Sequence, residues 1–377
     1  MIDKCRWFDG HQTACSLMID DLVPAAVSLG GTIEAANDWG YMMDKPNSLY
    51  QYLDHWLFKK YPEISGTIFL PLESQDCIDK KKGYKVYTRS IDEEYIEFLK
   101  RIRHRFEFAF HGVKHSWFDD STKKSVHEFA NANDELISQA LQKVKQFHDK
   151  TGIEFSGGKF PGYNYNEKAL DMIGSLKAKW WALDADMIQK VASNDVVHHP
   201  QKGFIQIPTN ICGDAFSIKR SLQFQSLRNL KKRMKNRYAG RPLDYLAYLY
   251  NNELPITIQE HFQNQTTLGK RQTPNLYDDI NSLEMIYGYL RGKDLWYTNC
   301  TDMAHYFDSY QRSKLTMTGK DKFRITYQGM YDKLVISLMG DAPVIESLDG
   351  HGIIQGTFKS GQWIFNVSKC GEYRLRR

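Results

Sequence analysis

The sequence predicts an α/β fold, a barrel of about seven β/α units, followed by a small antiparallel β module. Three observations carry that expectation. Short β-like runs alternate with amphipathic helical segments through residue 312, a pattern of parallel strands joined by crossover helices. About seven such runs spread over roughly 300 residues favour a barrel over an open sheet. Beyond residue 312 the helical period disappears, and short β runs punctuated by Gly and Asp take over. The expected division is therefore a barrel over 1–312 and a β-rich accessory module over 313–377.

The elements follow in order. "TACSLMID" (13–20) and "SGTIFLPL" (65–72) read as buried strands, and "RFEFAF" (105–110) alternates apolar and polar residues. "AKWWALD" (178–184), "GFIQIP" (203–208), "PITIQEHF" (255–262) and "DLWYTN" (294–299) complete the set of seven. Among the helices, "SIDEEYIEFLKRI" opens on Ser90 with Glu93 three residues on, the spacing of a capping box. The helix in "SVHEFANANDELISQALQKVKQFHDKTG" is expected to end at Gly152, since glycine accepts the left-handed conformation of a C-cap.

Composition limits the function classes. A chain of 377 residues with 42% hydrophobic and 13% aromatic residues can bury a sizeable core. A formal net charge of +5 argues against a nucleic-acid binder. Local charge is uneven: residues 219–241 carry nine Lys or Arg and no acid. That run reads either as a solvated helix face or as a site for an anionic group on the substrate. The six cysteines contain no C-x-x-C pair, so neither a zinc ribbon nor a redox motif is expected. No apolar run reaches the length of a membrane span, and the first residues carry charges where a signal peptide would be apolar. A cytoplasmic location is the expectation.

In a β/α barrel, reactive side chains gather at the carboxyl ends of the strands. The strand-end residues here are Asp20 and Asp21, His111, Asp184 and Asp186, and His261. His115 follows His111 by four residues. With 12 histidines in the chain, chance alone supplies about 0.4 such pairs, so the pair is weak by itself. Joined to a strand-end carboxylate, it becomes a three-ligand set that leaves one coordination position for water. The aromatic residues Trp39, Tyr41, Tyr163, Trp180 and Trp181 read either as core or as a floor for stacking sugars.

"MIDD" at 18–21, "HGVKH" at 111–115, "KFPGYNYN" at 159–166 and the late histidine of "ITIQEHF" together resemble the NodB-type polysaccharide deacetylases, the carbohydrate esterase family 4 type. The resemblance spans roughly residues 13–310. It implies a distorted (β/α)7 TIM-like barrel and a divalent metal ion, Zn²⁺ first among candidates, held by Asp21, His111 and His115. It implies Asp20 as the base that takes a proton from water, and His261 as the acid that protonates the leaving amine. Lys159 stands where the family presents an arginine that braces the aspartate. Lysine supplies charge there without a bidentate fork. Pro161, Gly162 and Tyr163 follow as substrate-side residues, with the oxyanion N–H from Gly162 or Tyr163. Asp184 or Asp186 would steer the acid histidine.

The implied reaction is hydrolysis of a non-peptide C–N bond that frees an acetyl group from an acetamido sugar. The sugar would be nucleotide- or lipid-linked, in surface-polysaccharide assembly such as that of lipopolysaccharide O-antigen. Hydrolysis of another C–N bond on the same barrel, and an inactive glycan-binding relative, are the competing readings.

Overall fold

The computed structural model describes the chain except residues 1, 24, 30–37, 42–44, 74–83, 89–90, 120, 123, 184–193, 200–201, 218–240, 263–273, 327–328, 332 and 377. All of the basic run 219–241 but Arg241, together with Asp184 and Asp186, therefore lies outside the described residues.

One sheet organises the larger part. Its strands are β1 (Thr13–Asp20), β2 (Gly66–Leu70), β3 (Phe106–Phe110), β4 (Gly157–Lys159), β5 (Trp180–Ala182), β6 (Val197–His198), β7 (Ile205–Gln206), β8 (Ile211–Cys212), β9 (Ile256–His261) and β10 (Leu295–Tyr297). The order across the sheet is β6-β7-β5-β4-β3-β2-β1-β9-β8, with β10 also paired to β1. Every ladder is parallel except β6 on β7. All seven expected runs carry strands of this sheet. β4 was not foreseen, because its Gly-Gly-Lys sequence reads as turn chemistry. Its glycines answer a packing demand: a Cβ on Gly157 would lie 2.1 Å from the Trp180 ring of the neighbouring strand.

One expectation is corrected. The sheet is barrel-like but open: among the described residues no ladder joins its two ends, so closure is not achieved by hydrogen bonding. The alternating strand "RFEFAF" is buried on both faces. Phe108 and Phe110 join the large core, while Ala109 packs on the other face with Met18, Phe69 and Trp180. Crossover helices cover parallel sheets, which explains why every residue of β1 is buried.

The helices are α1 (Leu49–Leu53), α2 (Glu93–Ile102), α3 (Asp134–Thr151), α4 (Glu167–Ser175), α5 (Pro242–Asn251), α6 (Ile280–Leu290) and α7 (Cys300–Arg312). The cap of α2 is Asp92, whose side chain accepts from the Tyr95 N–H at 3.0 Å, rather than the Ser90 capping box. Gly152 does end α3, at φ 68°. Helix α7 covers the second face of the sheet through Cys300, Met303, Ala304 and Phe307.

Residues after 313 form two antiparallel sheets. One holds 314–317, 322–326, 371–376, 344–347 and 353–355; the other holds 334–338, 362–367, 357–359 and, from the chain start, Ile2–Lys4. Phe323, Ile336, Ile345, Phe365 and Tyr373 belong to the core they share. No helix among the described residues is long and apolar enough to cross a membrane.

Candidate metal centre and active site

Parallel register sets the site. Asp20 ends β1 directly opposite His261 of β9, and β3 delivers His111 just past its last residue. Lys159 ends β4. These chain ends lie along the carboxyl edge of four strands in the sheet, so residues up to 241 positions apart in sequence become neighbours.

Asp21, His111 and His115 bring one ligand atom each to within 4.8 Å of one another, and all three are buried. Asp21 Oδ1 lies 3.6 Å from His115 Nε2 and 3.8 Å from His111 Nε2. Bonds of about 2.0–2.1 Å to one tetrahedral ion require ligand separations of about 3.4 Å, close to the two distances from Asp21. The tautomer fits as well. His111 Nδ1 donates to the Lys159 carbonyl at 2.9 Å, which turns the bare Nε2 toward Asp21.

Electrostatics points the same way. Burial pushes the Asp21 carboxyl up to about 7, with the neighbouring Asp20 charge adding to the rise. A cation at this point would restore its charge. Burial also holds His111 well below the usual imidazole range and His115 at about 4, so both are neutral and able to ligate.

Asp20 behaves differently from its neighbour. Burial opposes its ionisation, yet Lys159, His111 and His261 together hold it below the usual carboxylate range. Lys159 Nζ lies 2.5 Å from Asp20 Oδ1 and is completely buried, over the Phe69 face at 4.3 Å. The opposite oxygen, Oδ2, accepts from Gln259 Nε2 at 3.1 Å and faces His261 Nε2 at 3.4 Å. His261 Nδ1 lies 3.2 Å from the Pro274 carbonyl.

Backbone strain concentrates here. Asp21, His115 and Tyr163 adopt φ of 72°, 62° and 54°, a region that costs non-glycine residues on the order of 1–3 kcal/mol each. The 111–115 turn is held by Glu128, whose Oε2 accepts from Val113 N at 2.8 Å and Lys114 N at 3.2 Å. Burial pushes the Glu128 carboxyl up to about 7. Gly162, at φ 59°, packs on His127 so tightly that a Cβ there would lie 2.1 Å from its ring. That turn sends Tyr163 back to Gln259.

The structure thus gathers Asp20, Asp21, His111, His115, Lys159 and His261. Pro161 is buried beneath the turn, Gly162 is exposed, and Tyr163 is half-buried at the edge. Trp39, Tyr41, Trp180 and Trp181 are core residues, so they form no sugar-stacking floor. Sequence reading missed Gln259, Glu128 and His127. Gln259 carried a signal: two residues before a strand-end histidine, it must share that histidine's face of the sheet. Glu128 and His127 carried none.

No protein-family model matches the chain, and no curated protein sequence matches it. Solved structures do. A Mycobacterium smegmatis protein assigned as a polysaccharide deacetylase is 11% identical, with 81% of this chain and 93% of that chain covered, at a TM-score of 0.44. The 4-α-glucanotransferase of Thermococcus litoralis is 10% identical over 78% of this chain and 40% of its own, at 0.43. A pseudoenzyme of the CE4 family from Bacillus anthracis is 13% identical over 78% and 65%, at 0.35. Likeness at this level, shared by a deacetylase, a glucanotransferase and a pseudoenzyme, assigns no activity to this chain.

Proposed function

We propose that this protein is a metal-dependent hydrolase that removes an N-acetyl group from an acetamido sugar. One observation carries the reading: a buried Asp-His-His set stands beside a second carboxylate held between a cation and an imidazole. Metal ligation alone would need only the first three residues. An ionised carboxylate with no other charge to neutralise than a buried lysine is suited to base catalysis.

In this reading Asp21, His111 and His115 hold Zn²⁺. The ion, when bound, polarises the attacking water and the acyl carbonyl. Asp20, aimed and kept ionised by Lys159, takes the proton from water as its oxygen bonds to the acyl carbon. That proton passes from Asp20 to His261 Nε2, 3.4 Å away, and His261 delivers it to the nitrogen as the C–N bond breaks, giving acetate and a free amine. Tyr163 N–H is engaged by the Phe160 carbonyl at 3.0 Å, so the amide expected to face the oxyanion is that of Gly162.

The test measures metal content and acetate release from UDP-N-acetylglucosamine and from N-acetylated chito-oligosaccharides, with and without a chelator. Bound zinc, chelator-sensitive release and a loss of about 10³-fold or more in Asp21→Ala are expected. Release that persists in metal-stripped protein overturns the scheme. Bound zinc without release from any acetamido sugar moves the assignment to another C–N bond.

A further inference from the structure

Resting on the reading above, we infer that Gln259 is a positioning residue which, oriented by Tyr163, ties Asp20 to His261. The inference comes from donor and acceptor logic. An ionised carboxylate only accepts hydrogen bonds, so the Gln259 atom 3.1 Å from Asp20 Oδ2 must be the amide nitrogen. Its carbonyl oxygen then faces Tyr163, and the hydroxyl donates to it at 2.9 Å. The amide's second hydrogen points to His261 Nε2 at 3.3 Å, and since the amide nitrogen cannot accept, that imidazole nitrogen must be bare. The proton therefore sits on His261 Nδ1, where the Pro274 carbonyl receives it at 3.2 Å. The competing arrangement, an Nε2–H donating to Asp20 Oδ2 at 3.4 Å, would leave the amide's second hydrogen without this acceptor.

The geometry gives the chain a purpose. Asp20 Oδ2 and His261 Nε2 stand 3.4 Å apart on adjacent strands, where the ladder pairs the two backbones but does not set how the side chains turn. Gln259 reaches both from one rigid strand, being on the same face of β9 as His261. Lys159 holds only the other oxygen of Asp20. Without the amide, the carboxylate keeps its charge partner but loses its orientation toward substrate and acid. Rate falls steeply when a reacting group is misplaced by an ångström.

The variants Gln259→Met, of similar length without donors, and Tyr163→Phe, lacking only the hydroxyl, test this in the zinc-loaded full chain. Gln259→Met is expected to lower kcat about 10²-fold and Tyr163→Phe about 5-fold, with KM and zinc stoichiometry within about twofold of wild type. ¹⁵N-histidine NMR, with His261 assigned through His261→Gln, reads the positioning without substrate. Wild type is expected to show the Nδ1–H tautomer, and Gln259→Met to shift toward Nε2–H as that nitrogen turns to the carboxylate. An unchanged ¹⁵N pattern in Gln259→Met overturns the inference whether or not a substrate is found. So does a kcat within twofold of wild type in both variants. A tautomer shift in a protein that frees no acetate counts against the proposed function alone.

Discussion

The carboxyl edge of the parallel sheet and the C-terminal β module solve opposite problems. At the edge, Asp20, Asp21 and Lys159 are buried ionisable groups beside the neutral imidazole of His111, and three non-glycine residues sit at positive φ. Among the described residues of the module the buried side chains are apolar except Ser347, and the ion pairs, such as Glu346 with Arg374 and Arg376, lie in the open. The module thus follows the ordinary rules for a stable fold, while the edge breaks several within a few ångströms. Buried charge and strain persist only where surrounding structure over-determines them, which is why such clusters mark functional sites.

The contrast is open to test, beginning with its strongest element. Lys159→Met strands the Asp20 charge, and losing one partner of a buried pair costs about 3–5 kcal/mol. Turnover and urea-denaturation midpoint should both collapse; retention of either would remove Lys159 from the scheme. Phe365→Ala opens the module core at a cost of about 3 kcal/mol. Here the midpoint should fall while specific activity of the folded protein at low temperature holds, as measured by parallel unfolding and acetate-release assays. Activity lost in proportion would mean that the two regions are coupled.

Glu107 sharpens the comparison from within the sheet. Burial pushes its carboxyl up from 4.5 to about 7, against hydrogen bonds from Thr301 and Thr67. Between those pH values the folded protein keeps a proton that the unfolded chain has released, so this group's contribution to stability falls as pH rises through the window. Glu107→Gln should remove that slope, seen as a denaturation midpoint that declines less than wild type between about pH 4.5 and about pH 7. Identical slopes would show that Glu107 is ionised throughout. The smallest effect is expected at the module surface. Hydrogen bonds from Arg374 and Arg376 hold the Glu346 carboxyl below its usual range, but the group is exposed. Glu346→Gln should leave the midpoint unchanged within error, and a clear drop would promote this pair to a structural element.

Much of the sheet was legible in sequence, since seven short apolar runs bounded by turn residues all became its strands. The exceptions are instructive. Gly157–Lys159 carries no strand propensity, and its glycines make sense only beside the Trp180 and Trp181 rings that lie across them. Ile211–Cys212 is two residues long, too short for any period. The cap of α2 is Asp92, two residues beyond the expected position, because more than one polar residue there suits a helix start and only the backbone path decides which side chain reaches the free N–H groups.

By itself the sequence determined which side chains were available for chemistry and at which strand ends they would stand, because a two-residue period and turn residues act locally. It also determined that two neighbouring aspartates and two histidines four apart would be candidates. Only the tertiary structure decided that Asp20 and Asp21 differ: His111 stands equally near both, Lys159 Nζ and the Gln259 amide bond the first, and His115 reaches the second. Those partners come from strands far apart along the chain. Their distances depend on sheet order and register, which arise from packing the whole core and leave no local mark on the residues themselves.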